Sequence, residues 1–224
     1  MSFLPLQLVI FDCDGVLVDS EPVSRRVLLA EAARLGITLD DAEADAHTGL
    51  RWADVQTMVE HACRHALPAS WPLDMQARVI EEMNAHLDAV PGAADLLRAT
   101  RALGLPYRIA SNSSHEEMAA KFALTGLAPL VGARVHSARD VGVGKPAPDV
   151  FLAAAAAEGV PPAACLVIED SCPGVTAAIA AGMRCVAYVP RGAADTLVAL
   201  GAIAVRTLAE VPPLLEAAMM DRAA

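Results

Sequence analysis

Short apolar runs recur along the chain, each followed by turn residues and then by apolar positions at helical spacing. The runs are Leu6–Phe11 (LQLVIF), Tyr107–Ala110 (YRIA), Arg134–His136 (RVH), Cys165–Ile168 (CLVI) and Arg184–Val189 (RCVAYV). Runs this uniformly apolar predict strands buried on both faces, as in a parallel sheet sheathed by helices. Helices are predicted at Ala93–Leu103, His115–Leu124, Asp149–Glu158 and Val175–Ala181. Gly104, Gly126, Gly159 and Gly182 stand where glycines terminate helices. Strand–helix alternation of this kind makes a doubly wound, mostly parallel α/β domain of Rossmann-like type.

The rhythm breaks between Asp19 and about Asp88. Helical patterns replace strands there, at Val23–Leu35, Asp54–Ala66 and Asp74–Leu87, the last with Met75, Val79 and Met83 on one face. The chain is therefore expected to divide into an α/β core (1–17 and 89–224) and an inserted helical cap (18–88). An insertion placed directly after the first strand is predicted to cover the C-terminal edge of the sheet, where open α/β folds bind ligands.

Composition narrows the function. The 224 residues are 55% hydrophobic and 20% charged, enough to bury a core and too apolar for disorder. The net charge of -10 disfavours nucleic acid as a partner, because its affinity rests on Lys and Arg. Five scattered cysteines with no C-x-x-C pair predict reduced thiols. The N-terminal run meets Asp12 within a few residues and reads as a strand, not a signal peptide. No window approaches the ~20 apolar residues of a membrane helix. A soluble cytoplasmic protein, monomeric or weakly homo-oligomeric, is the expectation; an acidic chain can still bind a small phosphorylated metabolite where metal and a few local cations reverse the field.

The polar clusters fall just after the predicted strands. Asp12-Cys13-Asp14-Gly15 puts a carboxylate at a strand end and a second two residues on; alone, this suits a polar turn as well as chemistry. Ser111-Asn112-Ser113-Ser114 precedes a helix, and small hydroxyl residues there either cap it or bind phosphate with free N–H groups. Ser111 is the phosphate candidate, and Ser113 or Ser114 the cap. Lys145, in Gly144-Lys145-Pro146-Ala147-Pro148, is one of only two lysines, with Lys121, and its prolines stiffen the loop. Asp149 is predicted to cap the next helix. Glu169-Asp170 ends another strand; adjacent acids repel unless a cation joins them, and oxygen ligands of this kind suit Mg²⁺.

With the four clusters in this order, the chain resembles the haloacid dehalogenase superfamily, in the subgroup with a helical cap after the first motif. The resemblance implies a Mg²⁺-dependent phosphatase with Asp12 as nucleophile and Asp14 as general acid and base. It places Ser111 and the Asn112 amide on the phosphoryl group, Lys145 between that group and Asp12, and Asp12, Asp14, Glu169 and Asp170 at the metal. The family's metal-free dehalogenases lack the second aspartate, and its phosphonate hydrolases use a cap lysine, absent from 19–88. Its β-phosphoglucomutases are the nearest alternative. They carry a hinge histidine where this chain has Ser24, and a Gly-x-x-Arg clamp where it has Gly49-Leu50-Arg51, so hydrolysis is favoured. Arg51 suits either a second anionic group or solvent. His47 and Trp52 are expected to serve packing. The resemblance leans towards a sugar or sugar-acid phosphate, as in 6-phosphogluconate phosphatases. A catalytically idle binding protein on this fold is the remaining alternative.

Overall fold

The computed structural model describes residues 4–40, 43–44 and 52–220. Their chain separates into two compact units, Met1–Val18 with Ala89–Ala224, and Asp19–Asp88. In order, the described elements are β1 (Leu8–Phe11), β2 (Val18–Asp19), α1 (Glu21–Arg34), α2 (Trp52–Cys63), α3 (Trp71–His86) and β3 (Asp88–Ala89). There follow α4 (Ala93–Ala102), β4 (Tyr107–Ser111), α5 (His115–Leu124), α6 (Ala128–Val131), β5 (Val135–Ser137), α7 (Ala138–Val141) and α8 (Asp149–Ala157). The chain ends with β6 (Cys165–Glu169), α9 (Cys172–Ala180), β7 (Arg184–Tyr188), α10 (Asp195–Ala199), β8 (Ile203–Val205) and α11 (Val211–Met220).

The larger unit is built on a six-stranded sheet ordered β5-β4-β1-β6-β7-β8, parallel throughout. This is the doubly wound α/β fold that the apolar runs predict. Every residue of β1 and β6 is buried, which is why their sequences show no polar alternation. Leu8, Ile10 and Val167 meet Val150, Phe151 and Ala154 of α8 and Val175 and Ala178 of α9 in one apolar core. Gly104, Gly126, Gly159 and Gly182 all have positive φ just past a helix end. β1 lies between β4 and β6: the chain runs from β1 to β4 and β5 on one side, then crosses back to β6 on the other. Such a reversal opens a crevice at the C-terminal ends of the strands. Phe11 is in register with Ile109 and Ile168, which sets the residues after all three strands side by side.

One expectation is corrected. Asp149 does not cap α8: Pro148 holds that position, and Asp149 is the first helical residue. Its charge still favours the positive end of the helix dipole there. β2, β3, β8 and helices α6, α7, α10 and α11 go beyond the predicted elements; β2 and β3 are two residues each, and β8 is three residues long with Ile203 exposed, so their apolar signal is weak.

The smaller unit contains α1, α2 and α3. Val23, Val27, Leu28, Val55, Val59, Trp71, Met75 and Val79 form its buried face, and Trp52 stacks edge-on against Trp71 with ring centroids 5.9 Å apart. Glu31 is buried among these residues. Arg34 donates to both its oxygens at 2.7 and 2.8 Å, Trp71 Nε1 at 2.9 Å and Arg78 at 2.6 Å. The Arg34 hydrogen bonds, then those of Trp71 and Arg78, hold the Glu31 carboxyl down to about 2 against the opposing effect of burial. A carboxyl depressed on folding stabilises at pH values above its unfolded pKa, and that contribution fades as pH falls towards 2. Glu31→Gln should cost on the order of 1–2 kcal/mol at pH 7, moderated because both arginines are half exposed. Urea unfolding should show that difference shrinking between pH 5 and pH 2. A difference that stays constant with pH would contradict the assignment.

The β2 and β3 strands, where the chain passes between the units, pair as a small sheet. Among the described residues no helix is long and apolar enough to cross a membrane.

Candidate active site

Asp12 follows β1 and donates its backbone N–H to Ile168 of β6 at 2.9 Å, so it is held at the centre of the sheet edge. Its side chain is nearly buried. Burial pushes its carboxyl up to about 7, with Lys145 pulling the other way and Glu169 and Asp14 adding to the rise. A carboxyl group so placed is costly to ionise unless cations face it.

Lys145 supplies one. Its Nζ donates to Asp12 Oδ1, to Glu169 Oε1 at 2.7 Å and to the carbonyl of Ala110 at 2.9 Å, which uses all three ammonium protons. The same nitrogen lies 4.7 Å from the centre of the Phe151 ring. Burial alone would weaken this charge, but Asp12 and Glu169 hold it well above the usual lysine value. The loop that carries Lys145 is tied down by Asn112, whose Oδ1 accepts from the Lys145 backbone N–H at 2.9 Å.

Glu169 is fully buried at the end of β6. Besides Lys145 on Oε1, its Oε2 accepts from the N–H groups of Asp170 and Ser171 and from the Ser171 hydroxyl at 2.9–3.1 Å. The cation that relieves the Glu169-Asp170 pair is therefore, in part, the Lys145 ammonium. Two glycines make room for these acids. A Cβ on Gly174 would lie 1.8 Å from the Glu169 carboxyl carbon, and one on Gly15 1.8 Å from an Asp170 oxygen. Gly15 also has φ of +77°, a conformation other residues adopt at a cost. One oxygen each from Asp12, Glu169 and Asp170 lie within 4.8 Å of one another, a spacing that a cation with oxygen ligands can bridge.

Ser111, at the end of β4, is buried, and its Oγ accepts from the N–H of Ser113 at 3.1 Å. Ser114 caps α5 in a reciprocal capping box with Glu117. Ser113 is left to donate its hydroxyl to Asp14 at 3.1 Å. Asp14 also meets Lys121, whose Nζ donates to both carboxylate oxygens at 2.7 Å and to Ser113 Oγ at 2.9 Å. Burial opposes the charge on Lys121, yet Asp14 holds it above its ordinary value.

Asp12, Lys145, Glu169 and Asp170 thus share one sheet edge, and Asp14, Ser111 and Asn112 adjoin them at the ends of β1 and β4. Gly49 and Arg51 lie outside the described residues, as do Thr48 and His47. Lys121 is the residue that sequence reasoning left unused. The available signal was its rarity: it is one of two lysines, on the helix that follows the Ser111 cluster.

The chain is similar to known proteins along most of its length. The model of the haloacid dehalogenase-like hydrolases matches residues 6–182. A probable pseudouridine-5'-phosphatase from Drosophila melanogaster is 36% identical over 79% of this chain and 79% of its own. A 6-phosphogluconate phosphatase from Escherichia coli is 30% identical, over 80% of each. This chain spans 17% of a longer Arabidopsis thaliana protein that it also matches. Among solved structures, a hydrolase of the same family from Deinococcus radiodurans, with bound phosphate and sodium, superposes with a TM-score of 0.86 at 34% identity, covering 96% of both chains. The parallel sheet, the acids at its edge and these matches together establish that the chain belongs to the haloacid dehalogenase-like hydrolase family.

Proposed function

We propose that this hydrolase is a Mg²⁺-dependent phosphatase acting on a small phosphorylated metabolite, a sugar or sugar-acid phosphate, through an aspartyl-phosphate on Asp12. The observation that carries this is the buried Asp12 carboxylate gripped by Lys145, with a second acid, Asp14, two residues on. An anion attacking a phosphate dianion meets repulsion of ~4 kcal/mol per charge pair at 4 Å and an effective dielectric constant of 20. Lys145 offsets part of it from a nearly buried position, where its charge is least screened.

In the first step an Asp12 oxygen bonds to phosphorus as the ester P–O bond breaks, and Asp14 gives the departing oxygen the proton that it took from water in the preceding turnover. In the second, Asp14 takes a proton from water as that water attacks phosphorus. The bond to Asp12 then breaks, its electrons return to the carboxylate, and phosphate is released. Ser111 and the Asn112 amide hold the phosphoryl oxygens, at the end of β4. The oxygen donors of Asp12 and Asp170 suit Mg²⁺, and Glu169, whose oxygens already accept four hydrogen bonds, orients Lys145 and the Asp170 turn. When bound, the ion supplies positive charge against the transferring phosphoryl group.

Residues 19–88 would act as the substrate-selecting cap, with Gly49 and Arg51 its first candidates for contact. The named activities of the two phosphatase relatives support a phosphate ester as substrate, while their different substrates leave the leaving group open. A panel of phosphorylated sugars and sugar acids with Mg²⁺ should release phosphate. EDTA should remove at least about 90% of turnover and Mg²⁺ should restore it. Turnover insensitive to chelation would refute the metal assignment; no turnover on any ester would favour an idle binding protein. Net conversion of β-glucose 1-phosphate to glucose 6-phosphate without free phosphate would instead favour a mutase.

A further inference from the structure

We propose that Lys121 is a positioning residue for Asp14, holding the shuttle carboxyl in the one orientation that serves both proton transfers. The inference rests on the phosphatase reading above and extends it to a side chain outside the four sequence clusters.

Lys121 lies seven residues beyond Ser114, the cap of α5. Side chains on a helix lean back towards its N-terminus, so a long stem from this position reaches the loop that ends β4. There the ammonium divides its protons between the two Asp14 oxygens, each at 2.7 Å, and Ser113 Oγ at 2.9 Å. Ser113 closes the triangle by donating to Asp14 at 3.1 Å. The backbone of that loop is anchored in turn, since Ser137 Oγ donates to the Ser113 carbonyl at 2.8 Å. The Lys121 side chain is only 12% exposed, against 35% for Asp14. A lysine placed for solubility would keep its head in water; this one is withdrawn onto a single carboxylate. The backbone beside Asp14 is fixed, with the Gly15 N–H donating to the Val18 carbonyl at 2.8 Å, so what Lys121 and Ser113 set is the rotation of the Asp14 side chain. Correct orientation of a proton donor carries a large share of the rate, and a group set down wrongly loses it without loss of substrate binding.

An ordinary structural ion pair would have the same distances, so the experiment must read the chemistry. Protonation of the leaving group matters greatly for an alkyl phosphate and little for p-nitrophenyl phosphate, whose leaving group departs readily as the anion. Lys121→Met keeps the length and the apolar stem. With Mg²⁺ present, kcat on an alkyl phosphate should fall about 30–100-fold, within the range of general acid–base catalysis. The burst of p-nitrophenolate should slow less than about 3-fold, and KM for either ester should move less than about 3-fold. Lys121→Arg should recover most of the alkyl-ester rate, and Ser113→Ala should show the same asymmetry in smaller measure. Equal losses on both esters, or no loss on either, would overturn the proposal. Asp14→Asn separates the two levels. If it hydrolyses the alkyl ester like the wild type, the acid–base reading of Asp14 fails and takes the proposal with it. If it shows the asymmetry and Lys121→Met does not, only the role of Lys121 fails. Should Lys121→Met not fold, Lys121→Arg and Ser113→Ala decide by the same comparison, and a symmetric loss in both overturns the proposal.

Discussion

Asp12→Asn should abolish phosphate release from every ester, by about 10⁴-fold or more, while the protein still folds. An amide cannot supply the electron pair that forms the phosphoenzyme, and loss of a nucleophile removes the whole covalent route instead of a fraction of its rate. The substitution is nearly isosteric. Lys145 retains Glu169 and the Ala110 carbonyl as partners, so its charge is not stranded. Burial already works against ionisation of Asp12, so removing that charge also removes a desolvation cost. Mass spectrometry after rapid acid quench should find a phosphorylated peptide containing residue 12 in the wild type and none in the variant. A variant that retained 1% of wild-type turnover would show that another group attacks phosphorus.

How much of this was readable from the chain depended on how local each signal was. β1 and β6 were legible because both faces are buried and every position must be apolar. The acids that end them were legible for the converse reason: a carboxylate adjoining such a run has to be explained. Ser113 was ambiguous because a hydroxyl before a helix has two uses, and only the geometry assigns the cap to Ser114. Asp149 misled because Pro148, itself able to take the capping position, stands just before it. Lys121 was illegible in a stronger sense. Its partner Asp14 is 107 residues away in sequence, so nothing local distinguishes it from a solvated lysine on an exposed helix face. Glu169 was legible as an acid at a strand end but not as an anchor. That depends on Gly174 leaving space and on Lys145 arriving from a separate loop.

Lys145→Met should damage both stability and activity, because this ammonium is shared by the fold and the chemistry. It is 4% exposed and joins Asp12 to Glu169, two acids that are themselves nearly buried. Removing one member of a buried, hydrogen-bonded charge cluster typically costs about 3–5 kcal/mol, since the others are left without compensation. The Asp170 and Ser171 N–H groups still serve Glu169, so the penalty falls most heavily on Asp12. Burial raises that carboxyl, and Lys145 is what opposes the rise, so in the variant it must go higher still. A carboxyl raised on folding keeps its proton above the unfolded pKa, and stability is lost as pH climbs through the folded value. The wild type completes that loss near pH 7, whereas the variant continues to lose stability beyond it. Urea unfolding in EDTA should therefore show a deficit that is larger at pH 8 than at pH 5.5. Turnover with Mg²⁺ should fall by about 10³-fold, the scale of removing one fixed electrostatic group from a transition state. The two losses need not move together across pH: protonation relieves the fold, yet it also takes from Asp12 the electron pair that attacks phosphorus. The variant should consequently be most stable under the acidic conditions in which it is least able to form the phosphoenzyme. A deficit independent of pH would mean that Lys145 contributes through packing on Phe151 instead of through its charge.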